Sequence, residues 1–199
     1  MRRAIKYPDS KIIKNNLSYA SGNSVNNKKI ALILLEEQKK FCAYTDEYIS
    51  RTDSADIEHF NPTLKNTADD NYNNWFLVKH QWNQEKSYKW RNYQPILHPT
   101  AEDFEERVIY EDGDYIAKSS EDIEAQNLIK LLKLDDPGLA DERKRYMKRK
   151  HEEIKIFEQD AATYFSILIN NNPSGVSYTR AIKEEFGVHI DALLNIIDS

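Results

Sequence analysis

The 199-residue chain has a single cysteine, Cys42, which excludes an internal disulfide and any zinc cluster built from several thiolates. It has no apolar run near the roughly 20 residues that a membrane crossing requires. The opening Met1-Arg2-Arg3-Ala4-Ile5-Lys6 places no apolar stretch behind its charges, so neither a membrane span nor a secretory signal is expected. A soluble cytoplasmic protein is the reading that follows. Positive charge is not in excess: 28 Lys and Arg stand against 33 Asp and Glu, for a formal charge of -5. Such a chain does not coat nucleic acid by bulk electrostatics, and any contact must come from local basic patches. No internal repeat is present.

What remains is enough for a modest core under a well-solvated surface, with 40% hydrophobic and 31% charged residues. Tyr outnumbers Phe by 12 to 7, so core and groove surfaces carry hydroxyls. Residues 1–28 are polar and rich in Asn and Ser, with a flexible turn at 21–24. Ile30, Leu34 and Leu35 predict an amphipathic helix over 30–40. A hairpin-like stretch follows at 41–49, then a strand at 56–60 that Pro62 prevents from continuing. A polar loop over 63–74 leads to the apolar strand Trp75-Phe76-Leu77-Val78 and a helix over 80–89. Residues 91–118 read as irregular or β, punctuated by Pro95, Pro99 and Asp112-Gly113-Asp114. Helices are expected at 121–134, at 139–170 with one break, and at 182–197. The order is helix, small ββα unit, irregular arm, then helices, which is neither a doubly wound nor a barrel pattern.

Hydrolysis of a phosphodiester needs an activated water, a cation on the departing oxygen and in-line geometry. Glu58-His59 on a strand sends its two side chains to opposite faces, so one can serve a metal while the other faces water. Asn74 precedes an apolar strand and Asn83 lies on the next helix, and Asn is a legitimate oxygen ligand for hard cations.

Three stretches, Glu58-His59-Phe60-Asn61-Pro62, Asn74-Trp75-Phe76-Leu77-Val78 and Asn83-Gln84-Glu85-Lys86, resemble the HNH endonuclease pattern. The resemblance implies an α+β fold: a mainly helical chain around a small ββα-metal (His-Me finger) unit. It divides the chain into an N-terminal helical segment (1–40), the nuclease core (41–92), and an arm with a C-terminal helical region (93–199). It implies His59 as general base, Asn74 as its orienting residue, and Glu58 and Asn83 as ligands of one divalent cation, Mg²⁺ or Mn²⁺. Lys86 would face substrate phosphate or hold the helix. Lys86, Lys89 and Arg91 with Trp82, Trp90 and Tyr93 form a mixed basic and aromatic stretch that reads either as a nucleic-acid contact, with Lys89 and Arg91 on phosphate, or as core packing. Cys42-Ala43-Tyr44 and Ile96-Leu97-His98-Pro99 are similar to the PtuB-type nucleases of bacterial Septu and retron anti-phage systems. Those act beside an ATPase, so the resemblance implies nucleic acid, DNA before RNA, and an ATPase as partners. It leaves the oligomeric state open, a homo-oligomer included.

The chain departs from the family in two places. Relatives often brace the hairpin with zinc on two Cys-x-x-Cys pairs, and here those places read Cys42, Thr45, Lys79 and Trp82. No structural zinc is expected, and burial of Trp82 is expected to replace it. Glu58 stands where many relatives have Asp. These departures keep a second function in view, a degenerate HNH fold that binds or assembles without catalysis. The other histidines read as ordinary: His80 as a surface residue at a helix start, His98 as structural or a substrate contact, His151 and His189 as solvent-facing. Cys42 reads as a buried small apolar residue. The basic run 143–150 reads equally as a solvated helix face or a phosphate contact.

Overall fold

A computed structural model describes residues 1–197, the side chains of residues 85, 87, 88 and 195–197 excepted. The polar N-terminal stretch does more than precede the fold, because Met1 and Ile12 are buried in its core. The Ser10 side chain accepts from the Ile12 amide to start α1 (Lys11–Lys14), and Asn23 accepts from Asn26 to start α2 (Ser24–Glu37). These caps satisfy amides that the first turn of a helix leaves without partners. Helix α2 therefore begins earlier than its apolar spacing predicts. It stops before residue 40 because Lys39 and Lys40 adopt left-handed backbone, φ 54° and 65°.

A bridge between Phe41 and Tyr48 closes the expected hairpin-like stretch. Strand β1 (Ala55–His59) then pairs antiparallel with β2 (Trp75–Lys79), in register from Ala55 opposite Lys79 to His59 opposite Trp75. Their connection is long and polar, with 3₁₀ turns at Pro62–Leu64 and Tyr72–Asn74. From β2 the chain runs directly into α3 (His80–Lys86) and then tightens into a 3₁₀ turn, Ser87–Asn92. The α-helical geometry is thus shorter than the expected 80–89. Helix α3 contacts both strands, and together they form a ββα unit.

The arm contains α4 (Phe104–Arg107) and a hairpin of β3 (Val108–Glu111) and β4 (Asp114–Ala117). Asp112 and Gly113 turn it with φ of 44° and 83°, the positive values that a two-residue hairpin turn requires. A side chain at Gly113 would meet the Ala140 carbonyl at 2.8 Å, so glycine is needed for space as well as for φ. Helix α5 (Ile123–Leu132) closes a first core, shared with Met1, Ile30, Trp75 and Tyr115, and α6 (Pro137–Ile156), α7 (Ala161–Asn171), α8 (Thr179–Phe186) and α9 (Ile190–Ile197) follow around a second that holds Phe165 and Ile182. The single break expected within 139–170 lies between α6 and α7, where Glu158 is left-handed and Asp160 caps the new helix. The last expected helix is also divided, because Gly187 at φ 67° ends α8.

The basic run 143–150 splits by helical phase. Arg143 and Lys150 turn inward with Tyr146 and Met147, while Lys144, Arg145, Lys148 and Arg149 face solvent. Arg143 is fully buried, donates to the Leu134 carbonyl at 2.8 Å, and lies 4.6 Å from the Tyr115 ring centre. It is therefore a packing residue and not part of a surface phosphate patch. The result is a mixed helical and β fold with two short antiparallel sheets. Among the described residues no helix is long and apolar enough to cross a membrane.

Candidate active site

Alternation along β1 sends Asp56 and Glu58 toward α3 and His59 to the opposite face, toward the long loop. On the helix side, Lys86 is 2% exposed. Its ammonium donates to the Glu58 carboxylate, to the His59 carbonyl at 2.9 Å and to the Phe60 carbonyl at 2.6 Å. All three ammonium protons are used in this way. The rings of Phe60 and Trp90 stand 5.5 and 5.4 Å away, within cation–π range. Tyr44 adds a weak hydroxyl contact to Glu58 at 3.4 Å. Burial pushes the Glu58 carboxyl up and the Lys86 ammonium down, and each partner's charge opposes the other's shift.

One turn away on the same helix, Asn83 donates to Asp56 Oδ2 at 2.8 Å, and His80 Nδ1 reaches the same oxygen at 2.7 Å. Asn83 is thus engaged by Asp56, while the Glu58 carboxylate is engaged by Lys86. Lys89 and Arg91 lie exposed on the 3₁₀ turn after α3, and Trp90 between them is buried.

On the loop side, His59 is 4% exposed. The Tyr19 ring packs edge-on to it at 4.5 Å, and Trp75 lies behind at 6.4 Å. His59 Nε2 sits 3.0 Å from Asp70 Oδ2, off the line of a straight hydrogen bond, so this buried nitrogen has no aligned partner. Burial pulls the imidazole below its ordinary value, against the opposing charge of Asp70. Asn74 makes no hydrogen bond to His59. Its side chain accepts from the Asn61 amide at 2.7 Å and donates to the Asn61 carbonyl at 3.1 Å and to Asp70 Oδ1 at 3.0 Å. Sequence reasoning missed Asp70, Asp56 and Tyr19. The only local sign of Asp70 was its place four residues before Asn74 in an Asn- and Asp-rich loop, a composition shared by ordinary turns.

Residues 42–90 match the family model of the HNH endonucleases. No curated protein and no solved structure matches the chain. The matched HNH segment contains the hairpin at Cys42, both strands, α3 and the residues on both faces of β1. It supports an HNH endonuclease family for this part of the chain, and such a domain suggests a nuclease that binds nucleic acid. The α+β architecture and the small ββα unit agree with it.

HNH nucleases generally use a divalent metal. Among the described residues, no three His, Cys, Asp or Glu side chains are grouped to hold one. Glu58 is neutralised by an ammonium and Asn83 is held by Asp56, so the donors as placed do not fit a divalent cation. At the family's zinc-bracing places, the Lys79 amide donates to Cys42 Sγ at 3.4 Å, and Cys42 is buried as its apolar reading expects. The Lys79 ammonium bridges Glu47 at 3.2 Å and Asp53 at 3.5 Å. Trp82 is half-buried against both cores, so packing and ion pairs brace this corner.

Proposed function

We propose that the chain is an HNH endonuclease that hydrolyses phosphodiester bonds of nucleic acid, DNA before RNA, with His59 as general base. The observation that carries the reading is the placement of His59. It lies at the end of β1 inside the matched segment, on a strand paired along its length with β2, backed by Trp75 and a buried carboxylate. Burial favours the neutral imidazole that a base must offer near pH 7. His59 takes the proton of a water as the water's oxygen bonds to phosphorus and the bridging P–O bond breaks, its electron pair leaving on the departing oxygen, which takes a proton from solvent. Lys89 and Arg91, exposed after α3, are the proposed phosphate contacts, while Lys86, turned inward, ties the helix to the strand. Glu58 and Asn83, the residues that would hold the family's divalent cation, are engaged here by Lys86 and Asp56.

The similarity of Cys42-Ala43-Tyr44 and Ile96-Leu97-His98-Pro99 to PtuB-type nucleases supports a role as a cytoplasmic anti-phage effector working with an ATPase. One observation favours a second reading, a degenerate HNH subunit that binds without cutting: the Lys86 ammonium on Glu58. The test incubates purified protein with DNA and RNA and Mg²⁺ or Mn²⁺, alone and with a candidate ATPase partner. Cleavage that His59→Ala abolishes supports the enzyme. Equal cleavage by His59→Ala refutes the base assignment. Nucleic-acid binding that survives combined replacement of Glu58, His59 and Asn83, with no cleavage under any metal, supports the second reading.

A further inference from the structure

We propose that Asp70 is the positioning residue for His59, fixing the ring as the Nε2–H tautomer so that Nδ1 is the nitrogen that accepts the proton. The inference rests on the reading of His59 as the base and adds the residue that sets its orientation.

The Asp70 side chain is as buried as the ring it faces, 4% exposed in each case. Its two oxygens are used differently. Oδ1 receives the Trp75 indole N–H at 2.7 Å and the Asn74 amide at 3.0 Å. Oδ2 is left facing His59 Nε2 at 3.0 Å, off the line of a straight hydrogen bond, so its pull on the ring is electrostatic. No Lys or Arg pairs with Asp70 among the described residues. Its negative charge is therefore met only by neutral donors and by the imidazole. A carboxylate oxygen 3.0 Å from a ring nitrogen attracts an N–H and repels a lone pair, and burial from water strengthens both effects. The proton therefore belongs on Nε2, and the lone pair on Nδ1. Which ring nitrogen is free is decided by the partner of the other, here a carboxylate.

Asp70 cannot turn away to relieve this demand. Trp75 is the first residue of β2 and lies opposite His59 in the strand register, so its indole N–H is fixed to the same frame as the ring. Asn74 is clamped by the amide and the carbonyl of Asn61, two residues past His59. The chain just past the base thus carries the clamp on its orienting carboxylate. Asn74 acts on His59 through Asp70, without touching the ring.

The experiment reads the His59 tautomer directly, by long-range ¹H–¹⁵N correlation at one pH where the ring is neutral. It uses the full chain as wild type, Asp70→Asn, Asp70→Glu and Asn74→Ser, with cleavage kinetics in parallel. The wild type is expected to show Nε2–H. Asp70→Asn, nearly isosteric, is expected to admit the Nδ1–H form, and Asp70→Glu to restore Nε2–H in part. An Asp→Asn change behind a catalytic histidine in a Ser-His-Asp triad lowers kcat about 10⁴-fold through the wrong tautomer, and a kcat loss of that kind with little change in KM is expected here. If Asp70→Asn does not fold, Asn74→Ser keeps the carboxylate, loosens it, and is expected to mix the tautomers. A wild-type Nδ1–H ring, or a tautomer that none of these variants alters, overturns the proposal. Tautomers that shift as expected in a protein that cuts nothing uphold the positioning role and refute the base assignment instead.

Discussion

The Lys86 ammonium is buried against the Glu58 carboxylate while donating to the carbonyls of His59 and Phe60, so one side chain of α3 binds three consecutive residues at the end of β1. The helix and the strand could not separate without stranding two charges in the core. Removing only one partner of a buried pair costs about 3–5 kcal/mol, because the other charge is left uncompensated. Lys86→Met should lower unfolding stability by about that amount in urea titration. The double variant Glu58→Gln/Lys86→Met should recover a large part of the loss. A single variant as stable as wild type would show that the pair does not hold the unit together.

Lys6 offers a pH test of the packing behind β2. Its ammonium reaches the Trp75 carbonyl and lies 4.3 and 4.2 Å from the Tyr72 and Phe76 ring centres. Burial lowers its pKa from 10.5 to about 7. Between those values the unfolded chain holds a proton that the folded chain has released, so this group makes stability rise with pH across that window. Lys6→Met should be more stable relative to wild type near pH 7 than near pH 10. Melts of both proteins over that range would show the difference shrinking, and a constant difference would rule out the depressed ammonium.

The ββα unit was legible because its signals are local. A short strand stopped by a proline, a second strand that is apolar throughout and the Asn-x-x-Lys spacing identify β1, β2 and α3 within a few residues. Helix limits were less legible where a single backbone conformation sets them, as at Lys40, Glu158 and Gly187. For the site, His59 and Glu58 were visible as a dipeptide, but their partners were not. Asp70 reaches His59 only because the loop folds back, and Tyr19 arrives from forty residues upstream. Lys86 was visible, while its inward direction depends on the crossing of α3 over β1, which sequence spacing does not specify.

Tyr19 covers the His59 ring. Its ring stands edge-on to His59 at 4.5 Å, and the Lys65 ammonium lies 5.3 Å from the centre of the same Tyr19 ring. An aromatic pair of this geometry contributes about 0.5–1.5 kcal/mol beyond its buried area. Tyr19→Ala should therefore be mildly destabilised and should expose the imidazole. Acylation of His59 by diethylpyrocarbonate, followed by peptide mass spectrometry, should be faster in the variant than in wild type. Equal rates would mean that Tyr19 does not limit access to the ring.

Asp46 joins the HNH segment to the C-terminal helices. Its carboxylate accepts from the Thr179 hydroxyl at 3.0 and 2.9 Å and from the Arg180 amide at 2.8 Å, and its backbone carbonyl accepts from the Tyr178 amide at 2.6 Å. Tyr178, at the start of α8, makes no side-chain cap of its own, so a residue more than a hundred positions away in sequence supplies it. Arg2 Nε lies 3.3 Å from the same carboxylate, which brings the N-terminal stretch to this junction. Asp46→Ala removes the cap and the counter-charge together, and a loss of about 3–5 kcal/mol is expected. The loss should also be uneven. Amide exchange should quicken first in α8 and α9, whose docking depends on the cap, while β1 and β2 keep the protection of their own ladder and of Lys86. Uniform acceleration across both regions would show that the C-terminal helices and the HNH unit unfold as one, with Asp46 contributing to a single global stability.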